Sequence, residues 1–127
     1  MTTPRRGVEI LLVEDETDLR EDLASLLVDE GYLVRTAPHG AAALACLEGG
    51  ARPAVIVLDL MMPVMDGWET RARLRTTPAL SNIPVIILSG VANDDDEIAS
   101  LEAAAYVTKP VSVSRLCEII DRALAVG

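Results

Sequence analysis

The chain has 127 residues, half of them apolar and 24% charged, which fits one folded domain and excludes both a multi-domain enzyme and a disordered segment. Twenty acidic against eleven basic side chains leave a net charge of −9, so a phosphate backbone is repelled and direct nucleic-acid binding is not expected. No run approaches the ~18 apolar residues of a membrane span, and Met1–Gly7 is polar with no signal-peptide core, so a cytoplasmic protein with no membrane partner is expected.

Val8–Val13 (Val-Glu-Ile-Leu-Leu-Val) is short, β-branched and nearly continuous in apolar residues, the pattern of a strand covered on both faces. After Glu14-Asp15-Glu16 the period changes: Leu19, Leu23, Leu26 and Leu27 fall on one helical stripe that stops at Gly31. The same change recurs four times. Strands are predicted at Leu33–Ala37, Ala54–Leu58, Pro84–Leu88 and Ala105–Thr108, followed by helices at Ala41–Leu47, Trp68–Arg75, Glu97–Ala104 and Val113–Leu124. Asp66 with Glu69 resembles a capping box for the third helix, and Asn93 with Asp94–Glu97 reads as the cap and acidic first turn of the fourth. His39 reads as a loop residue, Trp68, Arg71, Arg73 and Arg75 as a helix surface with partial packing, and Cys46 and Cys117 as buried, reduced thiols. Five strand–helix units imply a doubly wound α/β three-layer sandwich with a parallel sheet and right-handed crossovers, in a single domain over 1–127 with its core at about 8–124.

Sheets of this kind bind ligands beyond the carboxyl ends of their strands. The first strand ends in Glu14-Asp15, the third in Asp59, the fourth in Ser89-Gly90 and the fifth in Lys109-Pro110, so three carboxylates, a hydroxyl and the chain's only lysine converge. Two carboxylates ~5 Å apart repel by about 3 kcal/mol at an effective dielectric near 20. A hard divalent cation relieves that repulsion, and Mg²⁺ suits Asp15 and Asp59 directly, Glu14 through water, and a backbone carbonyl just after Asp59 such as that of Met61. With no Cys or His nearby, a softer metal has little to hold it. A carboxylate in that setting can attack phosphorus and carry the phosphoryl group as an acyl phosphate, which makes Asp59 the candidate nucleophile, with Lys109 and the Ser89 hydroxyl neutralising the equatorial oxygens.

Val-Glu-Asp-Glu at 13–16, Leu-Asp-Leu-Met-Met-Pro-Val-Met-Asp-Gly at 58–67, Pro-Val-Ile-Ile-Leu-Ser-Gly at 84–90 and Tyr-Val-Thr-Lys-Pro at 106–110 together resemble the receiver domain of two-component response regulators. The likeness spans about Val8 to Leu124. It implies a flavodoxin-like sheet of order 2-1-3-4-5 with five helices, and a regulatory phosphoacceptor rather than an enzyme. It also implies phosphorylation of Asp59 by a histidine kinase or phosphotransfer protein, Mg²⁺ on Glu14, Asp15, Asp59 and the Met61 carbonyl, and phosphoryl contacts from Lys109 and Ser89. Ser89 and Tyr106 would form a switch pair, the Lys109-Pro110 bond would be cis, and a downstream protein target would read the face made by the fourth helix, fifth strand and fifth helix. The resemblance leaves a monomer or a phosphorylation-dependent dimer open. Met1 suggests a stand-alone receiver, and the chain's end soon after the last helix suggests output by protein contact.

From Ser89 to Tyr106 the chain is about two residues shorter than the family pattern, and Leu-Glu-Ala-Ala-Ala-Tyr lacks the usual Gly, so an altered end to the fourth helix is expected. Met61 and Val91, at positions that in the family influence water's access to the acyl phosphate, cannot bond water strongly, which implies slow dephosphorylation. An aspartyl-phosphate phosphatase would need a second Asp where Met61 stands. A flavin carrier would need a phosphate loop where Glu14-Asp15-Glu16 would repel it. A non-phosphorylated interaction module would not be expected to keep every acceptor-site residue.

Overall fold

The computed structural model describes residues 7–60, 65–90 and 103–126. Five strands, β1 (Glu9–Val13), β2 (Leu33–Ala37), β3 (Val55–Asp59), β4 (Val85–Ser89) and β5 (Ala105–Thr108), form one parallel sheet in the order β2-β1-β3-β4-β5. Four helices lie among the described residues: α1 (Thr17–Asp29), α2 (Gly40–Glu48), α3 (Gly67–Thr76) and α4 (Val113–Val126). The helix predicted over Glu97–Ala104, with its Asn93 cap, lies outside the described residues apart from its last two positions. Those two are not helical: the Ala104 N–H donates to Val85 O at 2.9 Å, so Ala103-Ala104 already leads into β5.

Pleating sends alternate strand residues to opposite faces, and here both faces are covered. Leu11, Val13, Ile56, Leu58 and Ile87 pack with Ala43, Leu44 and Leu47 of α2 and Leu74 of α3. Ile10, Leu12, Val57, Ile86 and Leu88 pack with Leu23 and Leu27 of α1 and Leu116, Cys117 and Ile120 of α4. Every residue of β3 and β4 is buried, whereas the edge strands β2 and β5 are half-exposed.

Local chemistry sets the helix boundaries. α1 ends in a Schellman motif with Gly31 at φ 103°, where Tyr32 N–H donates to Leu27 O (3.2 Å) and Gly31 N–H to Val28 O (3.0 Å). Asp66 caps α3 by accepting from Glu69 N–H at 2.9 Å, the expected half of the capping box, while the Glu69 side chain pairs with Arg73.

Three expectations are corrected and the fourth, His39 as a loop residue, is made specific. Leu26, counted in the core stripe of α1, is 46% exposed, because Leu23 and Leu27 define the stripe's centre and Leu26 falls on its flank. Cys46 is only partly buried, since Ala43, Leu44 and Leu47 take the inward face of α2. Arg71 is buried: the inner stripe of α3 runs through Gly67, Thr70, Arg71 and Leu74. His39 is the N-cap of α2, its Nδ1 accepting from Ala42 N–H at 3.1 Å.

Candidate functional site

The sheet grows outward in both directions from β1 and β3, and a crevice opens beyond the carboxyl ends of strands where the order reverses. Register fills that crevice. Val13 pairs with Leu58, which sets Glu14 beside Asp59; Asp59 pairs with Leu88, and Ser89 with Thr108, which brings Ser89 and Lys109 to the same rim. A carboxylate oxygen from each of Glu14, Asp15 and Asp59 lies within 4.8 Å of the other two. Glu14 is 0% exposed and Asp59 2%, while Asp15 is open to solvent.

Lys109 is the counter-charge. Its Nζ donates to Glu14 Oε1 at 2.6 Å and to Asp59 Oδ2 at 3.2 Å, and its backbone N–H holds Ser89 O at 2.8 Å. Burial, the largest single influence on this ammonium, pulls its pKa down. The hydrogen bond to Glu14 and the charges of Asp59 and Glu14 together outweigh it and hold Lys109 above the ordinary lysine value, so it stays charged at neutral pH. Among the described residues, three carboxylates gather here around the one lysine ammonium. The Lys109-Pro110 peptide bond is cis.

The acidic run is more than a solvated turn ahead of α1, although Asp15 and Glu16 are exposed. Glu16 is the N-cap and its side chain makes no cap hydrogen bond, and the Glu14 carboxylate points inward with Lys109 on one oxygen and the Glu16 N–H (3.3 Å) on the other. Ser89 is buried at the same rim. Tyr106 stands two residues before Thr108 and is 42% exposed, its hydroxyl accepting from Ala103 N–H at 3.0 Å. β5 is an edge strand, and the Tyr106 ring on it is about half-buried. Met61, expected to offer a carbonyl, and Val91 lie outside the described residues.

Some contributors were not singled out from the sequence. Arg20, one turn into α1, donates from Nη1 to Glu14 O (2.9 Å) and Asp15 O (3.4 Å); an arginine five residues after an acidic pair was the available signal. Gly67 opens α3 directly over the end of β3: its N–H donates to Leu60 O at 2.9 Å, and a Cβ there would stand 2.6 Å from Leu60 Cα and 2.7 Å from Asp59 O. Beside Lys109, Leu19, Leu23, Leu88, Pro110 and Val111 line an apolar cavity of about 250 Å³.

Residues 10–121 match the family model of the response regulator receiver domain. An uncharacterized 14.6 kDa protein in the sodA1 3' region of Leptolyngbya boryana is 37% identical over 117 residues, covering 91% of this chain and 88% of that protein. The transcriptional regulatory protein TcrA of Mycobacterium tuberculosis is 42% identical over 112 residues, covering 87% of this chain but 43% of TcrA, so the chain spans less than half of that regulator. Among solved structures, the signal receiver domain of a signal transduction histidine kinase from Syntrophus aciditrophicus superposes with a TM-score of 0.84 at 34% identity, covering 94% of this chain and 92% of that one. The response regulator TrrA of Thermotoga maritima, in complex with Mg(2+)-BeF, gives 0.80 at 30% identity, covering 91% and 98%. With the same strand order, four motifs in sequence and a match over nearly its whole length, the chain belongs to the response regulator receiver domain family, the phosphoacceptor switches of two-component signalling.

Proposed function

We propose that Asp59 is the phosphoacceptor and that Lys109, Glu14, Asp15 and Ser89 serve the transfer to it. The observation that carries this reading is the Lys109 ammonium held between the two buried carboxylates of Glu14 and Asp59, with Asp15 alongside.

The donor set fits Mg²⁺: three hard oxygens within 4.8 Å, and no Cys or His in the group. Both oxygens of Glu14 accept hydrogen bonds, which suits it to act through water, and Asp15 and Asp59 would be the direct ligands. Bound there, Mg²⁺ supplies neutralising charge to the phosphoryl oxygens. An Asp59 oxygen attacks the phosphorus of a phosphohistidine; the P–N bond breaks with its electron pair staying on the imidazole, and the new P–O bond completes an acyl phosphate. Lys109, protonated at neutral pH, offers charge and a donor to the transferring group, and the buried Ser89 hydroxyl offers a second donor.

The phosphodonor is a histidine kinase or a histidine phosphotransfer protein, and the apolar cavity beside Lys109 offers it surface to bury next to the acceptor. The added charge of roughly −2 draws Ser89, and with it the Tyr106 ring, into a different arrangement that a downstream protein reads on β5 and α4. No described helix is long and apolar enough to cross a membrane.

Intact mass after incubation with acetyl phosphate tests the reading. One added phosphoryl group is expected on the wild type with Mg²⁺, none with a chelator, and none on Asp59→Ala. Equal labelling of Asp59→Ala would overturn it.

A further inference from the structure

The acidic pair needs something to aim it. Glu14 and Asp15 lie on the turn between β1 and α1, and the helix that follows begins without a side-chain cap, since its N-cap Glu16 makes none. Glu14 is fixed by its N–H to Ala37 O (3.0 Å) and by Lys109, but Asp15 is exposed. The side chain that reaches back to this turn from the helix is Arg20, whose Nη1 spans the carbonyls of Glu14 (2.9 Å) and Asp15 (3.4 Å).

We infer that Arg20 is a positioning residue for the cation site: it ties both carbonyls to α1, so that the Asp15 carboxylate is held toward Asp59 before Mg²⁺ arrives. The inference rests on the Mg²⁺-dependent phosphoacceptor reading. Arg20 touches neither carboxylate and contributes no ligand; its effect passes through the backbone of two ligands. Fixing that backbone in advance removes an ordering cost from cation binding, as outer-shell partners do for metal ligands.

Charge and position predict opposite signs here, which makes the inference testable. Removing a guanidinium from beside a cation site should, on electrostatics alone, tighten Mg²⁺ binding. Loss of positioning should weaken it. Calorimetric titration with Mg²⁺ alone is therefore run on the wild type, Arg20→Ala, Arg20→Lys, Asp59→Asn and Arg52→Ala. Arg52 makes a comparable clamp on Leu47 O (2.8 Å) and Ala51 O (2.7 Å), in the loop before β3 and so at the opposite end of the strands from the site.

Arg20→Ala should bind Mg²⁺ about tenfold more weakly. Arg20→Lys, which keeps the charge but loses the broad guanidinium, should fall between, and Arg52→Ala should match the wild type. Arg20→Ala binding as tightly as the wild type, or more tightly, overturns the inference. If Arg20→Ala does not fold, Arg20→Lys decides it: weaker binding supports the clamp, and unchanged binding overturns it. Asp59→Asn distinguishes the two levels. Binding that is lost in Asp59→Asn but intact in Arg20→Ala sinks only the arginine inference, whereas a wild type that gives no Mg²⁺ heat, or an undiminished Asp59→Asn, sinks the site reading and the inference with it.

Discussion

Between Glu14 and Asp59, two side chains almost out of contact with water, stands one ammonium at 2.6 and 3.2 Å. Removing it leaves two buried charges facing each other, so Lys109→Met should lower folding stability at pH 7 by about 2–3 kcal/mol, less than for a fully enclosed pair because the lysine keeps some solvent contact. Since folding raises the Lys109 pKa above 10.5, its contribution is complete below that value and is lost as pH rises through the higher folded-state value. Denaturant unfolding from pH 7 to 11 should therefore show a constant gap between wild type and Lys109→Met at neutral pH that closes only in the alkaline range; a gap that closes by pH 8 would contradict the bridge. Asp59 and Lys109 were legible in the sequence because each closes an apolar strand, and a strand end fixes which rim a residue reaches. Arg20 was not, because its partners are backbone carbonyls that no residue pattern reveals, and the Tyr106 ring's exposure depends on what packs beside an edge strand.

At the level of elements, the acceptor strand and α3 are joined at Gly67, whose N–H bonds to Leu60 O and whose missing side chain leaves room for the Asp59 carbonyl. Gly67→Ala places a carbon 2.6 Å from Leu60 Cα and 2.7 Å from Asp59 O, both backbone atoms, so β3 and α3 must separate. Overpacking of this kind costs about 1–3 kcal/mol, and because the displaced strand end carries Asp59, phosphorylation by acetyl phosphate should slow as well; a variant with wild-type stability and rate would refute the close contact. Strand positions were readable because β-branched runs between polar turns admit few other elements: β2 and β5 have the expected bounds, and β1, β3 and β4 differ by one residue. Helix interiors were read less well. In α3 the inward stripe passes through an arginine, and in α1 a leucine sits on the flank, so hydrophobicity alone misjudged which residues face the core. The strand order came from the resemblance, since alternating elements fix a parallel sheet without fixing who neighbours whom.

For the whole molecule, the acidic rim is one concentrated part of a chain whose net charge is −9. A cation that binds only the folded arrangement stabilises it by mass action, so MgCl₂ should raise the melting temperature beyond NaCl of equal ionic strength, and this excess should vanish in Asp15→Asn. An equal response in both proteins would mean general screening. Locating the phosphoryl group is the most direct test of the account. Acetyl phosphate and Mg²⁺ are followed by borohydride, which reduces an acyl phosphate to an alcohol, and peptide mass mapping then finds the altered residue. The account predicts homoserine at position 59 and nowhere else; conversion at Asp15 or another carboxylate, with Asp59 intact, would contradict it.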